Sequence, residues 1–336
     1  MNNLPAGARG SPGRAGGGRR ARGDGAGISI RRRAALLLSA TRLYAFPASV
    51  VPILLGSVYA RHLRGVFLPG HFILALAAGM LFHTAANLLN DYYDYRYGVD
   101  REGALGGSGF LVAGTMTPRQ FALGAWACLA AGTLIGLYFV CRYGAPIFAL
   151  GAAGLLGAVF YTATPCGLKY HALGEPLVFL TMGVGMVLGG WMTQGAPASA
   201  RACAAGLPVS FLVAAILQAN DVRDIRSDRL SGVRTASVLL GARGARRVYY
   251  LLLASAYASL AGLAALRIVP PASLLAALSL PLAWRLCTRF RGFTEGEGGR
   301  LGMAPHETAV LHLVFGLLMT AGIAAAGAGG PGGGGP

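Results

Sequence analysis

Residues 207–228 read LPVSFLVAAILQANDVRDIRSD, a mostly apolar run that closes on Asn220 and then on Asp221, Asp224 and Asp228. The apolar part suits the interior of a helix buried in lipid, and the polar part marks where such a helix leaves it. Similar runs lie at about 37–60, 71–90, 120–140, 145–161, 176–194, 247–266, 268–284 and 307–326. With 207–220 they predict nine transmembrane helices, hence an all-α, polytopic membrane helix bundle. The composition agrees. Of 336 residues, 54% are hydrophobic and 12% charged. A soluble domain carries about a quarter charged residues, so an ordinary cytosolic enzyme and a disordered chain are both excluded. The 52 glycines follow no three-residue period, which excludes collagen.

Charge sets the expected orientation. The chain carries a net +17, but the basic residues are spread over the connections between apolar runs. That pattern suits lipid headgroups and excludes a nucleic-acid partner. An odd helix count puts the two ends on opposite faces. With the N-terminus inside, 24 of the 29 Lys and Arg residues fall on cytoplasmic segments, as the positive-inside rule demands. The expected location is therefore the inner (plasma) membrane, with a cytoplasmic N-terminus and an outside C-terminus. Residues 1–34 read as a disordered Arg/Gly-rich cytoplasmic tail, 35–326 as the membrane domain and 327–336 as a disordered Gly/Pro tail. Residues 1–30 lack the layout of a secretory signal. The five cysteines form no CxxC pair and read as small hydrophobes in the bundle.

Only twelve residues are acidic, and seven of them fall in two windows: Asp91, Asp94, Asp100 and Glu102, then Asp221, Asp224 and Asp228. Both windows sit at expected cytoplasmic helix ends, after the second and sixth runs. Asn90 and Asp94 are four apart, as are Asn220, Asp224 and Asp228, so each set stacks on one helix face. Two such columns around one cavity could not all stay ionised unaided. Oxygen ligands without His or Cys select a hard cation such as Mg²⁺, which keeps waters and bridges to phosphates. Candidate metal ligands are Asn90, Asp91, Asp94, Asp100, Asn220, Asp224 and Asp228.

Arg223, Arg226, Arg229 and Arg234 interleave with or follow the second window. Arg234, after Gly232 and before a new apolar run, suits a phosphate clamp. Lys169, the one lysine of the chain, lies in YTATPCGLKYHALGEP with Tyr161, Tyr170 and Glu175 and is a second diphosphate candidate. Asn87, Tyr161, Lys169, Tyr170, Arg223 and Arg234 make up the expected substrate-binding set. Asp94, Asp224, Asp228, Lys169 and Arg234 make up the expected catalytic set. His83, within an apolar run, reads as a packed or hydrogen-bonded histidine. GALGGSG after Glu102 suggests a mobile loop at the mouth. GxxxxGK[ST] is absent, which excludes a P-loop.

Taken together, NDYYDYRYGVD, GGSGFLVAGTMTPRQ, YTATPCGLKYHALGE and NDVRDIRSDRLSGVRT resemble the UbiA superfamily of intramembrane aromatic prenyltransferases over about residues 37–326. That family has nine transmembrane helices and two NxxxDxxxD motifs after helices two and six. The second motif is complete here; in the first, Gly98 takes the third place and Asp100 follows two residues later. This departure resembles the MenA branch, which prenylates 1,4-dihydroxy-2-naphthoate. Val233 stands where many bacterial members carry lysine. The resemblance implies Mg²⁺-dependent transfer of a polyprenyl group from its diphosphate to a small aromatic acceptor, here 1,4-dihydroxy-2-naphthoate, with decarboxylation to demethylmenaquinone. Other acceptors in the superfamily include 4-hydroxybenzoate, homogentisate, haem and chlorophyllide. A cation-dependent transporter is the rival of another class, but transporters place their acids near the bilayer midplane.

Overall fold

The computed structural model describes residues 42–101 and 106–327. Residues 1–41, 102–105 and 328–336, including Glu102 and the expected N-terminal tail, lie outside the described residues. Nine helices follow one another: α1 (Pro47–Arg64), α2 (Pro69–Arg96), α3 (Pro118–Tyr143), α4 (Ala145–Phe160), α5 (Gly174–Met192), α6 (Ala200–Leu230), α7 (Ala236–Ala265), α8 (Pro271–Phe290) and α9 (Ala304–Ala325). Each apolar run of the sequence becomes one of them, and the described residues contain no strand. Proline stands in the first turn of α1, α2, α3, α4, α8 and α9, where its missing N–H costs nothing. Thr117 and Gln120 close a capping box on α3.

Helix ends differ from the sequence expectation. The sixth apolar run stops at 220, but α6 continues to Leu230. The second stops at 90, but α2 continues to Arg96. Hydropathy marks where lipid ends, while the backbone ladder goes on above it. Both acid windows therefore begin on continuous helix. After α2, Gly98 turns the chain at φ +70°, and Val99 and Asp100 both donate their N–H groups to the Asp94 carbonyl. This turn replaces a third rung of the first column and swings Asp100 back over it.

Three apolar clusters form, the smallest being Ala48, Val213, Ile216 and Ala309 between α1, α6 and α9; the other two carry most of the packing. The larger unites α1, α5, α6, α7, α8 and α9 around Tyr59, Leu212, Tyr249, Leu260 and Phe315; the smaller joins α2 to α3 through Leu88, Leu89, Phe121 and Leu129. α1 and α5 touch backbone to backbone. A Cβ on Gly56 would lie 2.0 Å from the Val187 carbonyl oxygen, and one on Gly190 would lie 2.4 Å from that of Ile53. Small residues permit this approach. α4 is different. It has 16 residues and buries only Ile147 and Gly157, so it forms a thin wall rather than a packed member of the core.

Charge is strongly polarised across the bundle. All ten described acids lie at the end that holds the α2–α3, α4–α5, α6–α7 and α8–α9 connections. At the other end the connections carry Arg61, Arg64, Arg142, Arg201 and Arg267 and no acid.

Candidate active site

Asn87, Asn90 and Asp94 form one stripe on α2, continued below by His83 and Gly79. Asn220, Asp224 and Asp228 form another on α6. Both stripes line a single cavity of about 820 Å³. The cavity starts among these polar groups and runs down between α2, α4 and α5 to Phe139, Ile147 and Thr193 near the opposite end. Below the stripes its wall is mostly Ala, Gly, Leu, Ile, Val, Met and Phe, with His83 and three threonines among them. Phe148, Leu156 and Leu180 line it and are also exposed outside, so it opens sideways beside α4.

The α4–α5 connection supplies the cation. A 3₁₀ turn at Leu168–His171 carries Lys169, whose Nζ donates to Asn90 Oδ1 at 2.9 Å and Asp94 Oδ2 at 2.7 Å. The Tyr170 hydroxyl donates to Asp94 Oδ1 at 2.7 Å. Burial works against the Lys169 charge, but Asp94 foremost, then Tyr161, Tyr170 and Asp228, outweigh it and hold the ammonium well above the ordinary lysine range. Burial pushes the Tyr161 and Tyr170 phenols up, and Asp94 adds to this at Tyr170; both stay hydrogen-bond donors at any working pH. Across the cavity, Arg223 forks onto Asp224, with Nε 2.8 Å from Oδ1 and Nη2 2.6 Å from Oδ2.

The two windows meet. The point where a Cβ on Gly106 would stand is 3.4 Å from Asp224 Oδ2 and 3.9 Å from Asp100 Oδ1. Carboxylates of both windows thus flank one spot under the α2–α3 connection. Gly107 beside it has φ +68°, and a Cβ there would lie 2.3 Å from Asp100 Oδ2. Burial, then the charges of Asp94 and Asp91, push the Asp100 carboxyl up to about 7. Arg101 Nη2 donates to Ser231 Oγ at 2.5 Å, tying this connection to the one after α6.

Oxygen donors from Asn90, Asp94, Asp100, Asn220, Asp224 and Asp228 line the mouth, with no sulfur or imidazole among them. Among the described residues no three His, Cys, Asp or Glu side chains close into a metal cage. An open ring of hard oxygens fits Mg²⁺, which holds waters and shares itself with phosphate oxygens.

A model of the UbiA prenyltransferase family matches residues 49–293. The chain belongs to that family. Its relatives include the 1,4-dihydroxy-2-naphthoate octaprenyltransferase of Bacillus subtilis strain 168, 29% identical over 289 residues, 86% of this chain and 92% of that one. The human UbiA prenyltransferase domain-containing protein 1 is 30% identical over 306 residues, 90% of this chain and 87% of its own. Among solved structures, a UbiA homolog from Archaeoglobus fulgidus bound to GPP and Mg²⁺ superposes with a TM-score of 0.60 at 20% identity, covering 85% of this chain and 99% of that one. The apo UbiA homolog from Aeropyrum pernix K1 gives 0.62 at 19% identity, covering 83% and 98%.

Within this UbiA bundle, two of the expected site residues lie off the cavity wall. Asp91 is buried but faces away from the cavity, where Arg42 Nη2 donates to it at 2.5 Å and the Ser108 N–H at 2.9 Å. It sits one residue past Asn90, about 100° around the helix, so it ties the α2–α3 connection and the entry to α1 instead of lining the cavity. Arg234 is exposed, two residues past the Gly232 turn (φ +75°) and one past buried Val233, and does not line the cavity. Asn87, Asn90, Asp94, Asp100, Tyr161, Lys169, Asn220, Arg223, Asp224 and Asp228 all line the cavity; Tyr170 stands behind Asp94. Sequence reasoning missed Arg42, which lines the cavity and looked like any other flanking arginine. It also gave no role to Glu175, which is buried at the start of α5 and hydrogen-bonded to Asp221; a lone acid beside the Lys169 loop was the available signal.

Proposed function

We propose that this UbiA-family transferase moves a polyprenyl group from polyprenyl diphosphate to 1,4-dihydroxy-2-naphthoate, with decarboxylation to demethylmenaquinone, on the cytoplasmic face of the inner (plasma) membrane. The observation that carries the reading is the meeting of both acid stripes and Lys169 at the mouth of one long apolar cavity. The B. subtilis relative and the NDYYDYRYGVD string support the naphthoate acceptor.

Lys169 and Arg223 supply fixed positive charge where the diphosphate binds, and the Tyr161 and Tyr170 hydroxyls hold or orient its partners. Preorganised charge of this kind stabilises the leaving group more than the bound ester. Asn90, Asp94, Asp100, Asn220, Asp224 and Asp228 would hold Mg²⁺, which supplies Lewis-acid neutralisation of phosphate oxygens. The prenyl chain lies along the apolar wall, which keeps water from the allylic cation left by ionisation. The electron-rich ring then attacks that carbon. A transporter is disfavoured, since the acids gather at one end and not at mid-depth.

The deciding experiment gives purified protein Mg²⁺, a long prenyl diphosphate and a panel of aromatic acceptors, with products read by mass spectrometry. Prenylated, decarboxylated naphthoquinol is expected. Asp94→Ala and Asp224→Ala should each lose roughly 10²-fold or more in rate. Near-full Mg²⁺-dependent transfer by both variants overturns the assignment of these stripes.

A further inference from the structure

We propose that His83, oriented by Ser49, receives the hydroxyl proton of the aromatic acceptor. This rests on the reading above that the acceptor is a phenol.

His83 is buried in α2 and lines the cavity seven residues below Asn90, about 10 Å deeper along the helix. The diphosphate-binding groups sit above it, so its ring lies where the reacting end of the prenyl chain meets an acceptor. Ser49 of α1 is wholly buried, does not line the cavity, and places Oγ 2.8 Å from His83 Nδ1. The Phe46 ring packs against the imidazole at 5.9 Å. With Nδ1–H donating to Ser49, Nε2 carries the free lone pair. A histidine that was only a packing element would not need a cavity wall. Here the same α2 stripe presents His83, Asn87, Asn90 and Asp94 in succession.

Asp94 accepts from Lys169 and Tyr170, and Asp224 accepts from Arg223. Of the other carboxylates on this wall, Asp100 and Asp228 belong to the set that would hold Mg²⁺, and Asp221 lies beside Glu175. Arg42, Lys169 and Arg223 stay cationic and take no proton. Among the described residues that line the cavity, His83 is the one imidazole. As the ring attacks, its O–H proton passes to Nε2 and the O–H electron pair moves into the ring. A new C–C bond forms to the first prenyl carbon, the allylic cation left when its bond to oxygen broke and the pair departed on diphosphate. The carboxyl at the alkylated carbon then departs as CO₂, its pair restores the aromatic ring, and His83 returns the proton to the ring oxygen.

The test uses the full-length protein in detergent or vesicles. His83→Asn keeps an N–H towards Ser49 but removes the Nε2 base. It should lose roughly 10²-fold in kcat with unchanged prenyl diphosphate affinity. The loss should shrink as acceptors with more acidic hydroxyls are used, and added imidazole should restore part of the rate. A purely structural role would lower all acceptors equally. Wild-type-like turnover in His83→Asn, or a loss indifferent to hydroxyl acidity, overturns the proposal. If that variant fails to bind prenyl diphosphate, Ser49→Ala decides: it keeps the imidazole, and should show a smaller loss with the same acidity dependence. No such dependence in Ser49→Ala overturns the proposal equally. A wild-type protein that prenylates no phenol sinks the proposed function instead, so the two failures are distinct.

Discussion

Lys169 bridges Asn90 and Asp94 on the wall of the cavity, and no second lysine exists to replace it. Lys169→Met should cut kcat/KM for prenyl diphosphate roughly 10²-fold, the scale of losing one preorganised charged donor, measured by product formation at subsaturating diphosphate. Arg42 and Asp91 illustrate a different job for charge. Asp91 is nearly sealed, only 1% exposed, while Arg42 reaches the cavity. Arg42→Ala strands that carboxylate and should destabilise the bundle by about 3 kcal/mol. Adding Asp91→Asn should recover part of the loss, since a neutral amide needs no counter-charge; thermal melts in detergent of both variants and the double variant read this out. These neighbours also show where the sequence stopped being legible. Asn90, Asp94, Asn220, Asp224 and Asp228 share a four-residue spacing, so periodicity alone placed them on their stripes. Asp91 and Arg234 fall off that period, and only the rotation of a helix and the direction of a turn decide where they point.

At the scale of single helices, the α1–α5 contact is the tightest constraint. Gly190→Leu puts a branched side chain where Ile53 backbone already stands. It should cost about 1–3 kcal/mol and lower the melting temperature, with prenyl transfer falling only as folded protein is lost. The cavity-facing Gly79, met only by flexible side-chain ends of Ile53 and Met186, should tolerate Ala better in the same assay. Nine apolar runs were enough to predict nine helices, because hydrocarbon imposes its own length on each segment. Their ends were less legible. α2 and α6 carry their acids on extra turns above the apolar run, and no hydropathy window registers a helix that continues in polar surroundings. The seven-residue π-helical stretch Phe179–Gly185 left no mark in the sequence either. It places Leu180, Thr181, Met182 and Gly185 on the cavity wall, as such bulges often do at functional sites.

For the molecule as a whole, the division of charge between its two ends makes the orientation testable. Cys166 is exposed in the α4–α5 connection at the acidic end, and Cys141 is exposed near the opposite end of α3. With Cys128, Cys203 and Cys287 replaced by alanine, a membrane-impermeant maleimide added to intact cells should label Cys141 and spare Cys166. Inside-out vesicles should reverse the pattern, and labelling of Cys166 from outside would invert the topology. Chelation by EDTA should abolish transfer, and added Mg²⁺ should restore it. The thin α4 wall has a kinetic consequence. A cavity that opens sideways receives its greasy substrate from the lipid, so collisions occur in two dimensions. Diluting the prenyl diphosphate with inert phospholipid at fixed bulk concentration should slow turnover, whereas diluting the whole suspension with buffer should not.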